Sequence, residues 1–196
     1  MKTILITGAN GTIGKILSSG LQGYRILSHD YKGRLQISGD FSTDKGVEQC
    51  AQEVLSHTKH LYAVIHTVGE YYEAGLKETD GDRWRALFQN NVVSAALLAK
   101  LLQPEVFISF GVEGLLSGGR LMPAYLSVKC ALMSLTKSLA LTGMRAHMIS
   151  PRSVEGSEFM RPGVQVKPKE ISDLIDSLLR DTSIKGHIID IPPPIS

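Results

Sequence analysis

The chain is 196 residues long, 43% hydrophobic, and carries a formal net charge of +2. This length suits one α/β domain covering residues 1–196, and the apolar content is ordinary for a chain with a single core. The charge is small and contains no basic block, and no apolar run reaches bilayer length, so neither nucleic acid nor a membrane is expected as a partner.

The first apolar run, Ile4-Leu5-Ile6, leads into TGANGTIG, Thr7 to Gly14, and then into Ile13, Ile16, Leu17 and Leu21 at helical spacing. Strand, glycine-rich turn and helix in that order are what a dinucleotide-binding turn requires. Gly8 permits the tight turn, Gly11 lets the backbone approach a pyrophosphate, and Gly14 lets the helix pack close to the sheet. Asn10, Thr12 and Ile13 complete the turn, whose free N–H groups face the phosphates at the positive end of the helix. A turn of this composition that binds nothing is the alternative.

A second strand, Tyr24 to His29, runs into Asp30. A carboxylate there can accept both hydroxyls of an adenosine ribose and repels a 2′-phosphate, which favours NAD. Lys32 and Arg34, just beyond, suit NADP instead. The third strand, around Leu35 to Ser38, leads to Gly39-Asp40-Phe41. Asp40 either accepts from an adenine amino group, with the Phe41 backbone nearby, or caps the next helix in competition with Ser42 and Asp44. That helix carries Val47, Cys50, Ala51, Val54 and Leu55 on one face. The fourth strand, Leu61 to Thr67, is the nearly continuous apolar run of a central parallel strand. It ends in His66-Thr67-Val68-Gly69, where Gly69 lets the backbone pass close to a cofactor. His66 reads as a strand-end residue with satisfied hydrogen bonds. Tyr71 and Tyr72 either wall a substrate pocket or serve packing.

A long helix is expected from Asp82 to Gln103, stopped by Pro104, with Asn91 on or beside its apolar stripe. A buried Asn needs partners, because an unpaired polar group costs roughly 1–3 kcal/mol. The fifth strand, Val106 to Phe110, opens into a Gly-rich loop. Pro123 starts a helix that places Tyr125 and Lys129 on one face, at the carboxyl end of a strand, where ligands of such sheets bind. A sixth strand, Met144 to Ile149, ends at Ser150-Pro151-Arg152. A lid-sized loop containing Val154 follows, then a helix from Pro168 and a last strand from Gly186 to Ile191. The alternation implies a Rossmann-like α/β fold, a doubly wound parallel sheet of about seven strands with helices on both faces. The N-terminus shows no signal-peptide pattern, and Cys50 and Cys130 are isolated, so free thiols and a cytoplasmic location are expected. The histidines do not cluster, and no metal site is expected.

Taken together these segments resemble the short-chain dehydrogenase/reductase family along nearly the whole chain. TGANGTIG is similar to its cofactor turn, Gly39-Asp40-Phe41 to its adenine-contacting Asp motif, and HTVG stands where the family has NNAG. Asn91 matches its helix Asn, Tyr125 to Lys129 its YxxxK motif, and Ser150-Pro151-Arg152 its Pro-Gly turn. The resemblance implies an NAD(P)-dependent oxidoreductase acting on a small carbonyl or alcohol, with NAD the expected cofactor and NADP the alternative. Tyr125 would be the general acid/base, Lys129 would bind ribose and favour deprotonation of the phenol, and Asn91 would hold a relay water. Thr67, Val68, Gly69, Pro151 and Val154 would line the cofactor. A homodimer or homotetramer built on the long helices is also implied. The chain departs from the pattern where a catalytic Ser is due. Register puts that position on Gly111 or Phe110, leaving Ser109, one pleat back and displaced by ~7 Å, or Ser117 as the nearest hydroxyls. Arg152 also replaces a usual Gly. The departures favour a second reading, a catalytically weakened nucleotide-binding or redox-sensing protein.

Overall fold

Seven parallel strands form one sheet in the order β3-β2-β1-β4-β5-β6-β7, as seen in a computed structural model that describes residues 1–117, 121–157, 165–184 and 186–191. The strands are β1 (Thr3–Thr7), β2 (Arg25–Asp30), β3 (Ile37–Ser38), β4 (Ala63–His66), β5 (Val106–Phe110), β6 (Arg145–Pro151) and β7 (Ile188–Ile191). Thr3–Thr7, Ala63–His66 and Val106–Phe110 are buried along their whole lengths, as strands covered on both faces must be. β1 pairs with β2 on one side and β4 on the other. The order therefore reverses at β1, and the crevice above that reversal is where such sheets hold ligands.

Helices α1 (Thr12–Gly20) and α6 (Pro168–Arg180) cover one face, over Ile4, Ile6, Ile65 and Ile108. Helices α2 (Asp44–His57), α4 (Ser94–Leu102) and α5 (Pro123–Leu141) cover the other, over Leu5, Val64, Phe107 and Met148. Strand alternation sends neighbouring residues to opposite layers, and each fully buried aliphatic side chain contributes about 1.5–3 kcal/mol. Helix α2 is capped by Thr43, whose hydroxyl accepts from the Gly46 N–H, rather than by Asp40, Ser42 or Asp44. Leu55, expected on its inner face, is 47% exposed.

The long helix is not continuous. It runs as α3 (Gly81–Phe88), a π-helical turn over Gln89–Val93, and α4. Asp80 caps its start, accepting from the Arg83 N–H. The π turn carries Asn91, which is fully buried. Its amide donates to the Leu87 carbonyl, occupying an acceptor beside the widened turn, where the regular ladder is interrupted. Cys50 is a buried free thiol, which burial pushes up to about 12, while Cys130 is only partly buried. Among the described residues no metal-ligand cluster occurs, and no helix is long and apolar enough to cross a membrane.

Candidate active site

A cleft of about 780 Å³ opens at the carboxyl ends of β1, β4, β5 and β6. Of the residues expected there, it gathers Gly11, Thr12, Ile13, Thr67, Gly69, Tyr125, Lys129, Pro151 and Val154. Gly8 turns the chain at φ +63°, and its carbonyl accepts from the Gly11 N–H. A Cβ on Gly14 would stand 2.3 Å from that carbonyl and 2.5 Å from the Ala9 Cα. The glycine is thus demanded by the turn's own backbone rather than by the sheet. Helix α1 begins with no side-chain cap and no acidic residue in its first turn. Gly11, Thr12 and Ile13 line the cleft at this helix start, so the residues present fit a dinucleotide phosphate.

Asp30, at the end of β2, and Asn10, within the turn, hold each other. The Asn10 amide donates to Asp30 Oδ2 at 2.7 Å, and the Arg34 N–H donates to Oδ1 at 2.9 Å. Burial pushes the Asp30 carboxyl up, but the Arg34, Asn10 and Leu35 donors outweigh it and hold the group below its ordinary value. Each oxygen keeps acceptor capacity for a ribose hydroxyl. Asp40 is exposed, and its carboxylate accepts from the Ser42 N–H. The Phe41 side chain is a core residue, stacked on His29 at 4.3 Å, so only its backbone remains for a ligand. Val68 packs against the core and stands over Gly8.

The other end of the cleft is built on one buried cation. Lys129 is 6% exposed, and its ammonium donates to Asn91 Oδ1 at 2.9 Å and to the Phe110 carbonyl at 3.0 Å. Burial pulls it down to about 8. A Cβ on Gly69 would lie 2.6 Å from Asn91 Oδ1 and 3.1 Å from Lys129 Nζ, so only glycine lets β4's exit pass this pair. Tyr125 sits one turn before Lys129, with the ammonium 5.7 Å from its ring centre. Tyr71 packs edge-on against Tyr125 at 5.4 Å and joins the cleft wall, whereas Tyr72 packs with Trp84 and Phe88 under Arg83. His66 is buried at the end of β4, between the hydroxyls of Thr7 at 3.2 Å and Ser94 at 3.4 Å, as a strand-end residue with its partners met.

Ser109 does not belong to this set. Its hydroxyl is fully buried below the cleft and is engaged by Thr136 of α5 at 2.9 Å and the His147 carbonyl at 3.4 Å. The hydroxyl expected to serve catalysis is thus committed to partners away from the cleft lining. The hydroxyl nearest the vacant position is on the neighbouring strand. Ser150 Oγ lies 2.5 Å from where a Gly111 Cβ would be, and it is buried with no hydrogen-bond partner among the described residues. Ser117's side chain lies outside the described residues. Sequence reasoning also missed Glu70, Glu73, Met122, Ser153 and Ser157 on the cleft wall; they come from loops that carry no periodic signal. Arg152 faces the cleft and pairs with Glu113 at 3.6 Å. Val154 forms a parallel bridge with Val166.

The sheet order and the glycine turn define a Rossmann-like α/β protein. Residues 8–162 match the family model described as enoyl-(acyl carrier protein) reductase, and the chain belongs to the short-chain dehydrogenase/reductase family of oxidoreductases. It is similar to L-fucose dehydrogenase of Mus musculus, 28% identical in an alignment that covers 78% of this chain and 65% of that enzyme's length. Its fold is similar to that of a protein described as a 3-oxoacyl-reductase from Bacillus thuringiensis, at TM-score 0.84 and 22% identity over 100% and 98% of the two chains. A short-chain dehydrogenase/reductase from Brucella ovis has the same fold at TM-score 0.79 and 23% identity, over 98% of this chain and 100% of that one.

Proposed function

We propose that this protein transfers hydride between a nicotinamide dinucleotide, NAD in preference to NADP, and a small carbonyl or alcohol substrate, with Tyr125 moving the proton. The observation that carries the reading is the buried Lys129 ammonium, held by Asn91 and the Phe110 carbonyl on the wall it shares with Tyr125. Burying a cation is costly, and no carboxylate is among its hydrogen-bond partners in the described residues. Burial lowers Lys129 only to about 8, so the ammonium keeps most of its charge at pH 7 beside a phenol at an open cleft, as proton transfer at a substrate oxygen requires.

The dinucleotide, when bound, supplies or accepts the hydride. Gly11, Thr12 and the first N–H groups of α1 would hold its phosphates, and Asp30 its adenosine ribose. Lys129 would bind the second ribose through the donor left after Asn91 and Phe110 are served. Tyr125 would give its proton to the substrate oxygen in reduction and take it back in oxidation. Asn91, buried beneath Lys129, would keep the ammonium fixed during both. The mouse relative is a sugar dehydrogenase by name, and Glu70, Tyr71, Glu73, Ser153 and Ser157 supply hydroxyl-binding groups around the cleft. A small polyhydroxy substrate such as L-fucose is therefore the first to assay. Tyr125→Phe should lower kcat by ~10²–10⁴-fold with the affinity for NAD⁺ unchanged. Retained turnover in that variant would refute the role.

The second reading, a nucleotide-binding or redox-sensing protein with weak catalysis, is favoured by Gly111, where no hydroxyl stands, and by the engagement of Ser109 with Thr136. Micromolar NADH binding together with no turnover of any carbonyl or alcohol would select it.

A further inference from the structure

We infer that the neutral imidazole of His29 is a positioning residue for the nucleotide turn, and that placing a proton on its Nδ1 loosens the turn and weakens nucleotide binding. The inference rests on the reading of Gly8–Gly14 as a dinucleotide turn. His29 ends β2 beside Asp30 and is 1% exposed. Its Nδ1 accepts from the Gly8 N–H at 3.3 Å, and its Nε2 donates to the Gly39 carbonyl at 2.9 Å. A carbonyl only accepts and a peptide N–H only donates, so the two partners select the tautomer protonated on Nε2 alone. The backbone carbonyl of His29 accepts from the Ala9 N–H at 2.9 Å. Its ring stacks on Phe41, the residue that follows Gly39-Asp40. One side chain thus joins the turn after β1 to the loop before α2, and these two segments flank an adenosine bound at the edge of β2.

Gly8 stands at φ +63°, a conformation tolerated by glycine but not enforced by it. The His29 contact is one of the few that hold it. A second proton on the ring sets one N–H against another at Gly8 and leaves a buried charge in an apolar stack. The charged and titratable groups facing His29 are Asp30 on its own strand, Glu53 on α2, and His66 on β4 beyond the Phe41 ring. Cys50 of α2 packs beside Gly39. The two carboxylates favour protonation, but burial outweighs them and holds the imidazole below its usual value. His66, near 3, and Lys129, near 8, change charge mostly outside the interval from pH 7 to 5.

The test is calorimetric titration with NAD⁺ between pH 7.5 and 5, alongside NMR of the His29 ring and the Gly8 amide. The unaltered protein should lose affinity about 5–10-fold on acidification, with a midpoint below 6.5 shared by the ring and the Gly8 amide. His29→Asn places an amide oxygen near the Nδ1 position and cannot titrate; its affinity should be within about 3-fold of the unaltered protein at pH 7.5 and should stay flat to pH 5. His29→Phe keeps the stack but loses both hydrogen bonds, and its affinity should fall about 10-fold at pH 7.5 with no further loss in acid. Persistent acid weakening in His29→Asn, or unchanged affinity in His29→Phe, would overturn the inference. Absence of NAD⁺ and NADP⁺ binding by the unaltered protein at pH 7.5 would remove the nucleotide reading and with it the binding claim. The NMR arm would still decide the clasp, which fails if the Gly8 amide ignores the His29 titration.

Discussion

The two ends of the cleft are made in opposite ways. At the turn end, glycine-rich backbone lines the cleft, and side chains from β2 steady it: His29 accepts from the Gly8 N–H, and Asp30 accepts from the Asn10 side-chain amide. At the proposed reaction end, one buried side chain, Lys129, is the centre, and backbone is arranged around it: the Phe110 carbonyl, the π turn presenting Asn91, and a glycine at 69. The first end needs absence of side-chain volume. The second needs exact placement of a charge that the protein must compensate. Loss of shape should therefore break the turn end, and loss of a partner the reaction end.

His66 touches both ends, through Thr7 and through Ser94, and acid should disturb both at once. Burial, then the charge of Lys129, pull its pKa down to about 3, so the folded state excludes a proton that the unfolded state accepts below about 6.5. The unfolded chain binds more protons in that window, so stability falls as pH drops from about 6.5 towards 3, by about 1.4 kcal/mol per pH unit for one such group. Urea midpoints measured from pH 7 to 4.5 should show this slope together with those of His29 and His147, which burial also holds below their usual value, and His66→Gln should lessen it by about 1.4 kcal/mol per pH unit; an unchanged slope would remove His66 as a cause. Next in size is Gly14→Ala. Its methyl group would meet the backbone of Gly8 and Ala9, which cannot step aside, and a loss of about 3 kcal/mol is expected from overpacking. A thermal melt within 2 °C of the unaltered protein would contradict it.

Asn91→Ala tests the reaction end. It leaves Lys129 with one fewer acceptor and the Leu87 carbonyl without its side-chain donor, which should cost about 2 kcal/mol in chemical denaturation. NAD⁺ affinity should fall less in this variant than in Gly14→Ala, and the reverse order would undo the division between the two ends. The smallest effect is expected for Asp30→Ala, a few-fold relaxation of NAD preference towards NADP as Lys32 and Arg34 lose a neighbouring negative charge. An unchanged ratio of the two affinities would refute the role given to Asp30.

Much of this architecture could be read from the residues. Val106–Phe110 is the strand expected, and Pro123 and Pro168 start the helices they were expected to start, because a proline at a first turn forfeits no hydrogen bond. Tyr125 and Lys129 share a helix face as their spacing implied, and Lys129 meets Asn91 as the family resemblance implied. What escaped sequence reading depends on neighbours distant in the chain. Pleat alternation put Ser109 on the correct face, but only the packing of α5 shows that Thr136 has already taken its hydroxyl. The proximity of Ser150 to Gly111 arises between two strands whose pairing a linear pattern does not display. The π turn escaped because one extra residue in a helix leaves the apolar stripe on either side intact.

That extra residue has an accounting consequence for the whole segment from Gly81 to Leu102. Each residue of a regular α-helix turns the chain by about 100°. Trimming any one position from Gln89–Val93 to obtain a tidy helix would swing Ala95, Leu98 and Leu102 out of the layer beneath the sheet, or else swing Leu87 off α5. The widened coil acts as a phase shifter: it lets the two α-helical halves satisfy two misaligned packing surfaces, and it delivers an amide side chain at the seam between them.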